Sequence, residues 1–393
     1  MNFTFINKIY LLIFLNFFFI SCNSNTIIEK IKIEKNEVPK IENQDNSDIN
    51  LNSYENKKIN FDIKLVLDKF KNDNPFFDNV IIKNNKIYSL NSGSLYNFDI
   101  NTGEIISSKE ILSFEKGNDQ VISFQSFKNS FICVFKSGNV MRLDLDANIL
   151  WHNKYNQLIN TKFLIYNNQI ILFFIDKVMS ISAIDGNEIW TETYDNPPIY
   201  QSKGGQFARF FDLIFFILPN NRTGAIDLNF GTVHNSKFND LKLISSINNS
   251  LDKIFVYENN LIYVDEGKYI NTIDLFDDDV ILKRKNINSY SSSFLFKNSI
   301  ILKKDKYIEA INLINGKTFW LIANEKIDKN SKIITVRNIN KNIEIFLDNG
   351  DVLEINKKKL VNVSNLGVGK INNISFDKLN IIVYTKKNKI IIF

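Results

Sequence analysis

Two histidines, two cysteines and a run of three aspartates are the residues of this 393-residue chain with the most chemistry to offer. His152 and His234 stand far apart, each just after an apolar stretch. A zinc centre needs more ligands at close spacing, so both read as solvated or strand-edge histidines. Asp277-Asp278-Asp279 lacks the alternate-residue spacing of a calcium loop and reads as a solvated turn. The pair Gly204-Gly205 does not precede a helical pattern, so no phosphate cradle is indicated. Cys133 lies in FICVF (131–135), where alternation puts it on one face with Phe131 and Phe135. That setting suits a small buried hydrophobe, not the accessible, electropositive site of a reactive thiol. No convergent catalytic set emerges, and neither a metal nor a cofactor is expected.

The composition points the same way. Hydrophobic residues make up 44% of the chain and aromatics 13%, enough for one large or two modest globular units. Basic and acidic residues number 48 and 43, a near balance without the basic footprint of a nucleic-acid binder. Gly numbers only 14 and Pro only 5. Asn must therefore fill many turns, which it tolerates in the left-handed conformation.

Cys22 has a different context. Residues 1–21, MNFTFINKIYLLIFLNFFFIS, carry Lys8 and then an apolar run over 9–20. The run suits a signal-peptide core and is too short to span a membrane. Ser21 directly before Cys22 resembles the lipobox of bacterial lipoproteins, with Phe19 where that family prefers Leu. The resemblance implies cleavage before Cys22 and acylation of its sulfur and new amino group. An ordinary secretory signal is the alternative. Asn23 stands where the enterobacterial sorting rule places the Asp that retains lipoproteins in the inner membrane, so the outer membrane, periplasmic side, is expected. Residues 22–58 are charged and Asn-rich without an apolar face, the composition of a disordered tether. Fully extended, it would reach on the order of 100 Å.

The rest, 59–393, repeats. ISAIDGNEIW (181–190) has counterparts in VMRLDLDANILW (140–151) and IEAINLINGKTFW (308–320). Each unit is two short strands, an Asp or Asn, a turn, and a third strand. The anchors Asp99, Asp144, Asp185, Asp227, Asp274, Asn312 and Asn356 recur about every 40–45 residues, the period of propeller blades of four antiparallel strands. The anchor side chain can hydrogen-bond the following turn. Trp151, Trp190 and Trp320 would wedge between neighbouring blades. Seven units are complete, and IIVYTKKNKIIIF ends the chain as a partial eighth. Residues 59–70, INFDIKLVLDKF, alternate apolar and polar and can supply a missing strand, closing the ring and protecting its edges. An all-β, eight-bladed propeller is expected, with seven blades as the alternative.

The pattern A-x-D/N-x-x-x-G-x-x-x-W resembles the repeat of the pyrroloquinoline-quinone-type propellers. Ala310, Asn312, Gly316 and Trp320 match it in full; Ala225, Asp227 and Gly231 match it with Asn235 at the Trp position; Asp99 and Gly103 precede Ser107. The units at Trp151 and Trp190 read as having shortened turns. The quinone-dependent dehydrogenases of that family resemble one another in an adjacent Cys-Cys pair, which this chain lacks.

DNPPIYQSKGGQFARF (195–210) does not fit the repeat, and loops on rigid scaffolds are where recognition residues tend to sit. Taken with the lipobox and the repeats, the whole chain resembles the BamB-like family, the propeller lipoprotein subunit of the outer-membrane β-barrel assembly machinery. The resemblance implies a non-catalytic scaffold whose loop docks on a POTRA domain of the barrel-forming subunit. Lys203-Gly204 falls on the family's basic-Gly position, with Ile199 and Tyr200 beside it. Tyr200 and Ser202 stand where the family has leucines, and a lysine lacks the planar fork of an arginine. A second contact loop falls near SINNSLD (246–252), with Asp252 its acidic residue. Binding of unfolded outer-membrane chains, by strand addition at a blade edge, is a further implied role. A periplasmic propeller that binds another protein, a peptide or a sugar remains the second reading, and a quinone-dependent dehydrogenase a distant third.

Overall fold

A computed structural model describes residues 65–67, 80–91, 93–111, 119–194, 205–219, 222–239, 254–264, 269–284, 292–339, 342–376, 381–387 and 389–393. These residues form eight separate antiparallel sheets, the blades of a β-propeller. Blade one comprises Val80–Lys83, Lys86–Asn91, Ser94–Asp99 and Ile105–Glu110. Blades two, three, five, six and seven repeat this four-strand meander over 121–154, 164–193, 255–284, 292–323 and 333–365.

The strands read as they do because each sheet is covered on both faces. The second strand of blade two, Ser130–Phe135, is buried along its whole length. Phe131, Cys133 and Phe135 pack towards blade one with Tyr88, Leu90 and Leu95. Ile132 and Val134 point the other way, to Ile170 and Leu172 of blade three. Continuous apolar runs follow from this two-sided burial. Cys133 is thus a core residue beside Phe131 and Phe135, and burial pushes its thiol well up. First strands of neighbouring blades lie against one another, as in blades one and two, four and five, and six to eight. Fourth strands face outward; Ile105–Glu110 is exposed throughout.

Blade eight closes the ring. Its strands Ile371–Phe376, Ile381–Thr385 and Ile390–Ile392 come from the C-terminus, and Leu65–Leu67 pairs outside them. Leu65 opposes Ile392 and Leu67 opposes Ile390. On the other side, Ile382, Tyr384 and Ile390 share a core with Ile87 and Phe98 of blade one. The blade count is therefore eight, completed by strand from both ends of the described chain.

Blade four departs from the expected four strands. Gln206–Phe210, Leu213–Ile217 and Thr223–Asp227 form a three-stranded sheet. A fourth strand is reduced to the bridge Ile226–Val233 and the bond from the His234 N–H to the Ala225 carbonyl.

The anchors do as their chemistry implies in five blades. Asp99 accepts the N–H groups of Asn101 and Thr102, Asp144 those of Asp146 and Asn148, Asp227 those of Asn229 and Phe230, and Asn312 those of Ile314 and Asn315. Asp274 does the same for Phe276. Blade three differs: Ser182 occupies the anchor position, its N–H bonding the Asn187 carbonyl and its carbonyl accepting from Gly186. Asp185 lies inside the turn and accepts from Asn187. The turn before Trp190 is therefore full length, whereas the one before Trp151 is one residue shorter and places Ala147 at φ 61°. In blade seven Asn356 pairs directly with Lys359 across a two-residue turn whose Lys357 and Lys358 both have positive φ. A two-residue turn of that kind needs no anchoring side chain.

The tryptophans are inter-blade wedges. The indole N–H of Trp151 bonds the Ala183 carbonyl at 3.3 Å, and that of Trp190 bonds Leu228 at 3.1 Å. Each ring lies on the turn glycine of the next blade, Gly186 and Gly231 respectively. Thr272 makes the same bond to Leu313 from a blade without Trp. Between blades four and five, where Asn235 replaces Trp, the join is built differently. Phe238 fills the core between Phe215 and Tyr263. Asp278, at φ 53° in the turn of blade five, accepts from the Ser236 hydroxyl and the Lys237 N–H.

Candidate functional site

The hairpin turns sort the molecule into two faces. After the anchor, the N–H of Ile100, Ala183, Leu228, Leu275 and Leu313 bonds a carbonyl of its own blade's first turn. First and third turns therefore share one face, the turn face. On the other, the connecting face, the residue after the fourth strand bonds the second turn: Ile111 to Gly93, Tyr155 to Gly138, Tyr194 to Asp176 and Leu366 to Gly350. The described connections between blades, 155–163, 324–332 and 366–370, lie there.

The two loops singled out in the sequence are connections of this kind, flanking blade four. Ile199, Tyr200, Lys203 and Gly204 lie outside the described residues, as do Asp252 and Cys22. Their roots are described. Gln206 pairs with Ile217, Ile217 with Thr223, and the Thr223 hydroxyl bonds the Asn239 carbonyl. Gly205 and Asn239 thus emerge from the same end of one blade. Three strand spacings separate them, on the order of 15 Å.

The root of the first loop is tightly held. The Gly205 N–H donates to the Thr161 hydroxyl at 2.7 Å. A Cβ at Gly205 would come within 2.7 Å of that oxygen and of the Ile217 carbonyl, which explains the glycine by close approach. On the other side Tyr194 packs edge-on against Phe216, with the Arg222 guanidinium 5.3 Å from its ring centre. Burial, and then the Glu192 carboxylate, push the Tyr194 hydroxyl well above its ordinary pKa, with Arg222 opposing. That hydroxyl is buried and has no hydrogen-bond partner among the described residues. Tyr194, Thr161 and Arg222 were not legible as site residues, because nothing in the sequence ties them to the loop they hold.

The residues with most intrinsic chemistry are not brought together. His152 pairs its Nε2 with Asn139 in blade two, and burial followed by the nearby Lys154 charge lowers its pKa. His234 sits at the edge of blade four. Of the aspartate run, Asp278 is the inter-blade acceptor already described and Asp279 pairs with Lys237 on the surface. Among the described residues no group of three His, Cys, Asp or Glu side chains could hold a metal ion.

No family model and no curated protein matches the sequence. Solved structures do match. The chain is similar to BamB from Moraxella catarrhalis, with a TM-score of 0.62 at 12% identity over 84% of this chain and 98% of that one. It is also similar to the Dos1 propeller, TM-score 0.60 at 11% identity over 84% and 94%. The computationally designed Ika8 protein gives 0.59 at 11% over 80% and 94%. At such identities the likeness is one of fold: this chain is a BamB-like β-propeller in architecture.

Proposed function

We propose that the protein is a non-catalytic scaffold lipoprotein of the outer-membrane β-barrel assembly machinery. It binds a periplasmic POTRA domain of the barrel-forming subunit through the connecting face of blade four. The observation that carries the reading is the common origin of the loops 195–204 and 240–253 at one end of that blade. A rigid blade presents both loops to one partner at fixed separation, which lowers the ordering cost of binding. The fold likeness to BamB supports the choice of partner. Acylation at Cys22 would confine the protein beside that partner and raise the effective concentration without new contacts.

Affinity capture of the acylated protein from membranes, with identification of co-purifying chains, tests the proposal. Recovery of the barrel-forming subunit is expected. The other propellers of similar fold favour the second reading, a scaffold for a different protein. Capture of an unrelated partner, with that subunit absent, would replace the first reading by the second.

A further inference from the structure

The large hydrophobic side chains exposed at the surface of the described residues are not scattered. All but Leu158 lie at the turn face or on the adjoining first residues of the fourth strands. Every blade contributes: Ile105 and Ile106 in blade one, Ile149 and Leu150 in blade two, and so on round the ring to Phe376 at the end of the first strand of blade eight. The most exposed are three phenylalanines at the turn tips of blades four and five. Phe211 is 70%, Phe230 74% and Phe276 61% exposed. Phe210 links two of them, with ring centres 4.7 Å from Phe211 and 5.8 Å from Phe276. Phe211 has φ 49°, the left-handed first-turn conformation that Lys128, Asn167, Glu258 and Lys297 share in other blades, so the turn directs its ring outward at the tip of the hairpin.

An exposed apolar surface of this extent marks a contact with a partner or a membrane. Two observations choose between them. The apolar residues form a rim round the whole ring, whereas a protein contact would cover one sector. The chain also enters blade eight at this face, since Leu65 opposes Ile392 beside the C-terminus. Leu65, where the described chain begins, therefore lies on the apolar side. The face carries both charge signs. Asp146, Asp212, Glu258 and Asp277 are exposed turn residues there, and so are Lys128, Lys297, Lys317, Lys357 and Lys358, a near balance that suits a zwitterionic surface.

We infer that the turn face rests on the lipid bilayer interface, with Phe211, Phe230 and Phe276 entering it. This rests on the proposed acylation of Cys22 for its anchor. It directs the connecting face, with both docking loops, away from the membrane towards the periplasmic domains of a partner. Weakly inserted apolar side chains and an acyl anchor act together, as two-signal attachment does.

The test has two arms. The Cys22→Ser protein, without an acyl anchor, is mixed with phosphatidylcholine vesicles and separated by flotation. Measurable partition is expected. It should fall about tenfold in Phe211→Ser/Phe230→Ser/Phe276→Ser, with thermal unfolding unchanged, and stay constant in Leu158→Ser. In the second arm, acylated Phe230→Cys and Leu158→Cys proteins carry a fluorophore at the new thiol, the buried Cys133 being inaccessible to label. Lipids brominated in their chains should quench position 230 and spare position 158. No partition of the unanchored protein, or equal quenching at both positions, overturns the inference. Concentration-dependent self-association that shields position 230 without lipid would assign the face to a second copy and also overturn it. Failure of the acylation itself appears separately, as an N-terminal peptide lacking acyl mass, and leaves the first arm to decide.

Discussion

Trp190 of blade three lies on Gly231 of blade four so closely that a Cβ on the glycine would come 2.5–2.7 Å from the indole ring. Gly231 also has φ 71°. The glycine thus meets two demands at once, a left-handed turn and a wedge with no room beside it. Trp190→Ala should destabilise the protein by about 3–5 kcal/mol, the range for truncating a large core aromatic. Gly231→Ala should cost about 1–3 kcal/mol through strain and displacement of the ring. Denaturant unfolding followed by tryptophan fluorescence measures both. A Gly231→Ala variant as stable as the wild type would show that the turn relaxes freely.

Between blades four and five the wedge is Phe238 and the polar join is Asp278. Asp278→Ala leaves the Ser236 hydroxyl and the Lys237 N–H without their acceptor. The expected loss is about 1–2 kcal/mol, as for other side-chain acceptors of backbone N–H groups. Hydrogen exchange should rise first in residues 233–239, before any other blade is affected.

Ring closure depends on few residues. Ile391 pairs with Val66 and packs with Phe346 and Val383. Ile391→Asp places a charge in that core and should abolish cooperative unfolding. Removal of residues 390–393, which deletes the partner of Leu65–Leu67, should do the same. A truncated protein that melts in one transition at the wild-type temperature would mean that the blades cohere without the closing strand.

Cys133 is fully buried and burial pushes its thiol well up. It should resist thiol reagents at neutral pH until denaturant unfolds the ring, and react at the global unfolding rate thereafter. Raising the pH to 9 should not speed labelling of the folded protein, because the folded-state pKa lies above the unfolded one and the thiolate is withheld from solvent. Fast labelling in native buffer would place Cys133 in a locally opening strand.

How far the sequence was legible follows from which forces are local. Alternation and anchor spacing gave seven units and the terminal hairpin favoured an eighth over the seven-blade alternative, because most anchors serve a turn next to them in the chain. Closure by the N-terminal strand was legible for the same reason: the last unit lacked its outer strand and an alternating segment stood free. Blade three misled, since Asp185 fits the Asp/Asn anchor type and Ser182 does not; the backbone bonds of Ser182 with Asn187 and Gly186 assign it the anchor position. Blade four hid its missing strand, because Val233 and His234 keep the pattern over two residues while Phe238 takes over the burial. The root of the loop 195–204 depends on Thr161 and Arg222, which only the fold brings near. The apolar turn face was equally hidden, since single exposed residues in successive units gain meaning only when the ring sets them in one plane.

The decisive measurement is direct binding of the purified protein to the isolated POTRA domains of the barrel-forming subunit from the same organism, by titration calorimetry. Saturable one-to-one binding is expected, weakened about tenfold or more in Tyr200→Ala/Lys203→Glu, with thermal unfolding unaltered. Absence of binding by the folded wild-type protein, or binding that the double substitution leaves unchanged, would contradict a partner site on the connecting face of blade four.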